Sequence, residues 1–315
     1  RCHTVVKWST AFTDENGYYS MGSKFRIGPH YAVVFDNSQG FTIWGNWGPF
    51  AAANYNMGWH SKGGHDRIFG TNAKAWDWCS VNNAGFEYYQ NAKKDGIGLP
   101  PHNPRIWVFR HQSNASCAPM LRRVWHPIGY SSNSGWSNFF INMTAGRLLT
   151  YTNTLLKFAL PDIVIGTGGG CDTYKIYEVV NHELSHASHF NKVGSAFWAK
   201  YVNYIITYGK KYDHPYGDAS CNNSGFCGVG EMWGYAMGYI RTYEKYQQKP
   251  KNGQSKWFQP NLLYDLMTEK ILTKKQIFDC LSSDVTSHAL LKQKMISRYP
   301  SKKDSIIAKF SRYGF

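Results

Sequence analysis

The stretch VVNHELSHASHF, residues 179–190, sets three histidines and a glutamate into positions that otherwise read as the middle of a helix. Residues four apart on a helix turning ~100° per residue lie ~40° apart, so His182 and His186 can reach one metal ion from a single face. Glu183 leans over the same point from the side. Neutral imidazole suits zinc, and two helical histidines give it two of its usual three protein ligands in a catalytic site. His189 falls ~20° from His182 on the helical wheel but ~10 Å further along the axis. That separation puts it outside a tetrahedral site made by the other two, as a pocket wall or a neighbour of the ligands. Glu178, one turn before His182 on the same stripe, is placed to accept an imidazole N–H and orient the ring.

A third ligand has to come from elsewhere. The chain has seven glutamates, of which Glu231, Glu244 and Glu269 follow the motif. Glu244 in IRTYEKYQQK and Glu269 in LMTEKIL stand beside lysines, on faces that read as solvated. Glu231 is the one charged residue among the thirteen of GVGEMWGYAMGYI. A carboxylate that stays ionised while buried without a partner costs on the order of 5 kcal/mol or more, so Glu231 needs a cation, and a metal ion supplies one. Gly230, Gly234 and Gly238 recur every fourth residue beside it and strip one helix face, which lets another helix approach closely. The same pattern fits a tight helix crossing with Glu231 paired to an arginine. Asp213, His214 and Asp218 are next in line as ligands.

His182-Glu183-Leu184-Ser185-His186 is an HExxH sequence placed after a strand-like run and before a helical half, and in this it is similar to the zincin metallopeptidases. The metzincin branch requires HExxHxxGxxH; here its glycine position is His189 and its third histidine position is Lys192. The gluzincin branch takes its third ligand from a glutamate on a later helix, a role that falls to Glu231. The surroundings of Glu231 do not copy the NExxSD form of the thermolysin-like families, so the resemblance lies in the ligand logic and names no substrate. It implies a Zn2+ cofactor held by His182, His186 and Glu231, with Glu183 as general base, and peptide or protein substrates cleaved by an endopeptidase. Tyr235, one turn after Glu231, is the first candidate for the oxyanion donor, with His214 and Tyr216 behind it. By the same analogy the strand DIVIG would pair with an extended substrate, and TGGG would let that substrate come close.

Residues 1–48 alternate in the strand period. HTVVKWSTAFT, YYSMGSKFRI and HYAVVFDN are separated by the turn signals DENG, GPH and NSQG, which predicts a small antiparallel sheet. TDENGYYSM followed by FRIGPHYAVVF resembles part of the carboxypeptidase regulatory-like, prealbumin-type β-sandwich, over some forty residues, and this implies a structural role. After a Gly- and Trp-rich hinge, TNAKAWDWCSVNNAGFEYYQNAKKDG reads as a helix with a capping Thr or Asn and a Gly stop, and RIWVFR and PDIVIGTGGG read as strands. Helices are then expected at about 173–191, 195–210, 229–247, 260–270, 274–282, 285–298 and 301–313. The expected class is α+β: a β-sandwich-like segment over 1–48, then over 49–315 a mostly helical, zincin-like domain with a short sheet before the motif helix.

No apolar run approaches the length of a membrane span. The formal charge of +15 is scattered over loops and helix ends, and no phosphate loop, recognition helix or aromatic RNA-binding motif accompanies it, which argues against nucleic acid. Seven cysteines without a CxxC pair argue against a thiolate zinc cluster, and Cys221 and Cys227 flank a short turn that a disulfide would close. With sequons at Asn114, Asn142 and Asn222, they point to an exported, secreted or surface protein whose leader is not part of this chain. The alternative function is a secreted or surface module that binds glycan or protein around a structural metal. An intact Glu183 argues against it, because a structural site has no use for a base.

Overall fold

The computed structural model describes residues 1–14, 16–45, 51–110, 116–124, 161–212, 216–249 and 256–315. A hairpin of β1 (Cys2–His3) and β2 (Trp8–Ser9) begins the chain, and β3 (His30–Val34) pairs antiparallel with β1 on its other side. Side chains alternate across this sheet with period two: Cys2 and Tyr31 are buried on one face, while His3 and His30 lie on the other. The next strand, β4 (Thr42–Trp44), leaves for a second sheet, and β5 (Asn54–Trp59) returns to pair with β3.

Two expectations for this region are corrected. YYSMGSKFRI is not a strand; Asp14 accepts the N–H groups of Asn16 and Tyr18, both at 2.9 Å, and the Tyr19 hydroxyl is held by the backbone of His65. The strand that completes the sheet is β5, inside the stretch expected as a hinge. A bulge between Tyr31 and Ala32 shifts its register, and this irregularity hides the alternation in its sequence. Strands from both sides of residue 48 therefore pair with one another in this sheet.

They also do so in the second sheet, where β4, β6 (Arg105–Phe109) and β7 (Ile163–Gly166) run parallel in that order. Helix α1 (Lys74–Asp95) connects β5 to β6 and ends, as its Gly stop predicts, on Gly96 in the left-handed conformation. Its N-cap is Ala73, without a side-chain bond, where Thr or Asn was expected. Ile43, Ile106, Val108, Ile163 and Ile165 belong to the main core, and the alternate residues Trp44, Trp107 and Val164 form a second cluster. Every residue of β7 is buried, as for a strand covered on both faces.

The remaining described elements are helices: α2 (Leu121–Val124), α3 (Thr173–Tyr212, broken at Gly194), α4 (Ser224–Tyr246), α5 (Asn261–Thr268), α6 (Lys274–Cys280), α7 (His288–Arg298) and α8 (Lys303–Arg312). Thr273 and Gln276 form a capping box at α6, and the Ser287 hydroxyl caps α7. The fold is α+β, with an antiparallel sheet at the N-terminus. No helix among the described residues is long and apolar enough to cross a membrane. Cys221 and Cys227 are both buried and no disulfide joins them, so the expected bridge is absent.

Candidate metal centre

The motif helix follows β7 after a short connection, from Gly166 to Thr173. The Asp172 carboxylate accepts the Lys175 N–H at 2.7 Å and caps the first turn of α3. From there Val180, Leu184 and Ala187 face the core, which turns His182 and His186 toward α4. Two polar residues between them bond within the helix: Asn181 donates to Tyr177 O at 2.8 Å, and Ser185 to Asn181 O at 2.6 Å.

Helix α4 lies against this face because its glycines leave room. A Cβ on Gly234 would stand 2.6 Å from His186 Nε2, closer than packed atoms come, and 3.1 Å from His182 Cε1. One turn either side, a Cβ on Gly238 would meet Glu178 O at 3.0 Å, and one on Gly230 the Tyr201 ring at 3.3 Å. The missing side chains are what let the carboxylate of Glu231 reach the two imidazoles.

His182 Nε2 and His186 Nε2 are 3.0 Å apart, with the rings nearly perpendicular at 85°. Oε2 of Glu231 lies 3.6 Å from the first and 3.7 Å from the second. Glu231 is 4% exposed and forms no ion pair with lysine or arginine among the described residues. The arginine of its own helix, Arg241, pairs instead with Asp95 at 2.7 Å and Glu244 at 3.2 Å. Oε1 of Glu231 accepts a short hydrogen bond from the Tyr201 hydroxyl, while Oε2 is buried with no hydrogen-bond donor. Two imidazole nitrogens and a carboxylate oxygen, all within 4.8 Å of one another, match the donor set of a divalent cation, and the group could bind a metal ion. Tyr201 reaches Glu231 because α3 breaks at Gly194, whose φ of 82° suits glycine, and the chain beyond it packs back with the Tyr201 and Trp198 rings near His186.

Electrostatics keep the His182 imidazole unprotonated. Burial, reinforced by the neighbouring His186, holds His182 well below the ordinary imidazole range. Glu183 is pushed well above the carboxylate range by burial and then by the charge of Glu231. Its Oε1 is 3.9 Å from His182 Nε2, and its Oε2 is buried without a hydrogen bond. Tyr235 packs edge-on against His182, centroids 4.4 Å apart, and its hydroxyl pairs with that of Tyr216 at 2.8 Å. Above them the half-buried Lys256 ammonium lies 4.8 Å from the centroids of both tyrosine rings.

The other candidates fall elsewhere. His189 is fully buried between Phe197 and Trp198, and burial lowers its pKa to about 3. Glu178 accepts from Lys175 at 2.7 Å, so the orienting bond expected to His182 is replaced by a surface ion pair. Glu244 pairs with Lys274 and Arg241, and Glu269 with Lys309. Asp218 accepts the Ser220 N–H at 2.7 Å, and Asp213 and His214 lie outside the described residues. The free edge expected on DIVIG is taken: Cys117 exchanges backbone hydrogen bonds with Val164 at 3.0 and 2.8 Å, and Ser116 Oγ accepts the Gly166 N–H. Tyr201 and Lys256 were not legible in advance. The signal for Tyr201 is Gly194, which breaks a helical stretch; nothing near Lys256 ties it to the motif.

No family model matches the chain, and no curated protein matches it.

Proposed function

We propose that this protein is a zinc-dependent peptidase of gluzincin-like type, an endopeptidase acting on peptide or protein substrates. The observation that carries the reading is the convergence of His182, His186 and Glu231 beside a glutamate whose Oε2 is buried and unpartnered. His182 Nε2, His186 Nε2 and a Glu231 oxygen would hold the ion. When bound, zinc supplies Lewis-acid polarisation of a carbonyl and acidifies a water molecule.

The chain's own groups then divide the proton work. Glu183, made more basic by burial, takes the proton of the attacking water on its free Oε2 and passes it to the leaving amine. Tyr235 and Tyr216 share one hydroxyl hydrogen bond and leave the other hydroxyl hydrogen to donate to the oxyanion. Both phenols are pushed up by burial first, so they stay protonated donors at neutral pH. Tyr201 fixes the orientation of Glu231, as partners of metal-binding carboxylates do.

The test is cleavage of a generic unfolded protein by the metal-loaded chain. Activity that a chelator removes and zinc restores supports the reading; a zinc-loaded chain that cuts no peptide bond in a broad substrate mixture counts against it. A structural metal in a binding module is the weaker reading, because it leaves the unpartnered Glu183 oxygen without a role.

A further inference from the structure

Exposed apolar side chains are unevenly spread over this protein. Nine large ones stand exposed among the described residues, and eight of these fall between Val5 and Ile68. Two of them are adjacent in the chain, Val5 and Val6, at 91% and 90%. They occupy the two central positions of the turn joining β1 to β2, which the Thr4 N–H closes onto Lys7 O at 2.8 Å. Such positions ordinarily take Gly, Asn, Asp or Pro. Two β-branched hydrocarbons there gain nothing from the fold itself.

Cations surround the tip. The Lys7 ammonium donates to Lys24 O at 2.7 Å and lies 5.6 Å from the centroid of the Phe25 ring, which ties the hairpin to the segment carrying Lys24, Arg26 and the exposed Ile27. Arg1 stands 5.9 Å over the Trp8 ring, which is 60% exposed. Through residue 35 the acidic residues are Asp14 and Glu15, and the Asp14 carboxylate is engaged by the backbone of its own turn.

We propose that this hairpin tip docks the protein onto the surface of an anionic lipid bilayer. Val5 and Val6 enter the acyl region, Trp8 sits at the headgroup level, and Arg1, Lys7, Lys24 and Arg26 face the lipid phosphates. The shape selects a bilayer as the occupant: two side chains that project almost wholly beyond their own turn form a wedge, which a fluid hydrocarbon layer can close around. The charge selects an anionic one, and the long basic side chains can keep their cations at the surface while the tip is immersed. A sugar platform fits less well, because Trp8 already stacks on His3 at 4.3 Å and 16°.

The experiment is co-sedimentation of the whole chain with phosphatidylcholine vesicles, with and without phosphatidylserine, at rising salt. It is independent of metal loading and of peptidase activity, so it can fail while the proposed function stands, and the reverse. The expected result is binding to the serine-containing vesicles that salt weakens, reduced about tenfold or more in the Val5→Asp/Val6→Asp variant. Lys24→Gln/Arg26→Gln, which leaves the hairpin intact, should weaken binding in the same direction. No binding to the anionic vesicles, or undiminished binding by both variants, overturns the proposal. Self-association that the valine variant abolishes, without vesicle binding, would assign the tip to a second copy and overturn it as well.

Discussion

The hydroxyl of Tyr201 donates to Oε1 of Glu231, and it does so from the segment beyond the break in α3 at Gly194. One helix thus supplies both histidines and the group that orients the carboxylate converging on them. Removing the hydroxyl in Tyr201→Phe should leave the fold intact and weaken zinc affinity on the order of 10- to 100-fold. Competition with a chromophoric chelator measures it; an unchanged affinity would mean that the bond does not orient the ligand.

Gly234 carries the approach of α4 to the motif helix. In Gly234→Ala the new methyl would sit 2.6 Å from His186 Nε2, so the helices must separate or the imidazole must move. A loss of ~1–3 kcal/mol in denaturant unfolding, with reduced zinc per chain, is expected. A variant that binds zinc at full stoichiometry with unchanged stability would show that the glycine face is not what admits the metal ligands.

Tyr235 touches the ring of His182 but holds none of the three donor atoms. Tyr235→Phe is therefore expected to keep zinc and lower kcat on the order of 100-fold, with KM little changed. An effect confined to KM would place Tyr235 in substrate binding and give the oxyanion to another donor.

His189 predicts the acid limb of stability. Its folded pKa is about 3 against 6.5 for the free side chain, so the unfolded chain takes up a proton first as pH falls. Stability from this residue is fully present above pH 6.5 and is lost as pH falls from 6.5 toward about 3. Between pH 7 and 5 the loss is ~2 kcal/mol. His189→Phe should flatten that part of the urea-unfolding profile; the same acid slope in the variant would assign it to other groups.

The motif helix and its third partner were legible because both rest on short-range pattern. HExxH fixes two donors on one face by helix geometry alone, and Glu231 stood out as a lone charge in an apolar run with its glycine stripe alongside. Less local features were not legible. The bulge in the β3 and β5 pairing scrambles the alternation that would have marked Asn54–Trp59 as a strand. The pairing of Cys117 with Val164 joins segments 47 residues apart, so β7 read as an open edge. Tyr201 reaches the site only through a helix break and Lys256 from outside both site helices, and one aromatic or one lysine among many carries no pattern of its own.

In the proposed reaction Glu183 is the base beside an ion held by His182, His186 and Glu231. Glu183→Gln preserves side-chain size and changes none of the three ligands, so zinc per chain and cleavage of an unfolded protein are measured together in that variant. If Glu183 is the base, one zinc per chain is expected, as in the unmodified protein, with hydrolysis reduced on the order of 1,000-fold or more. Full cleavage activity in the zinc-loaded Glu183→Gln protein would contradict it.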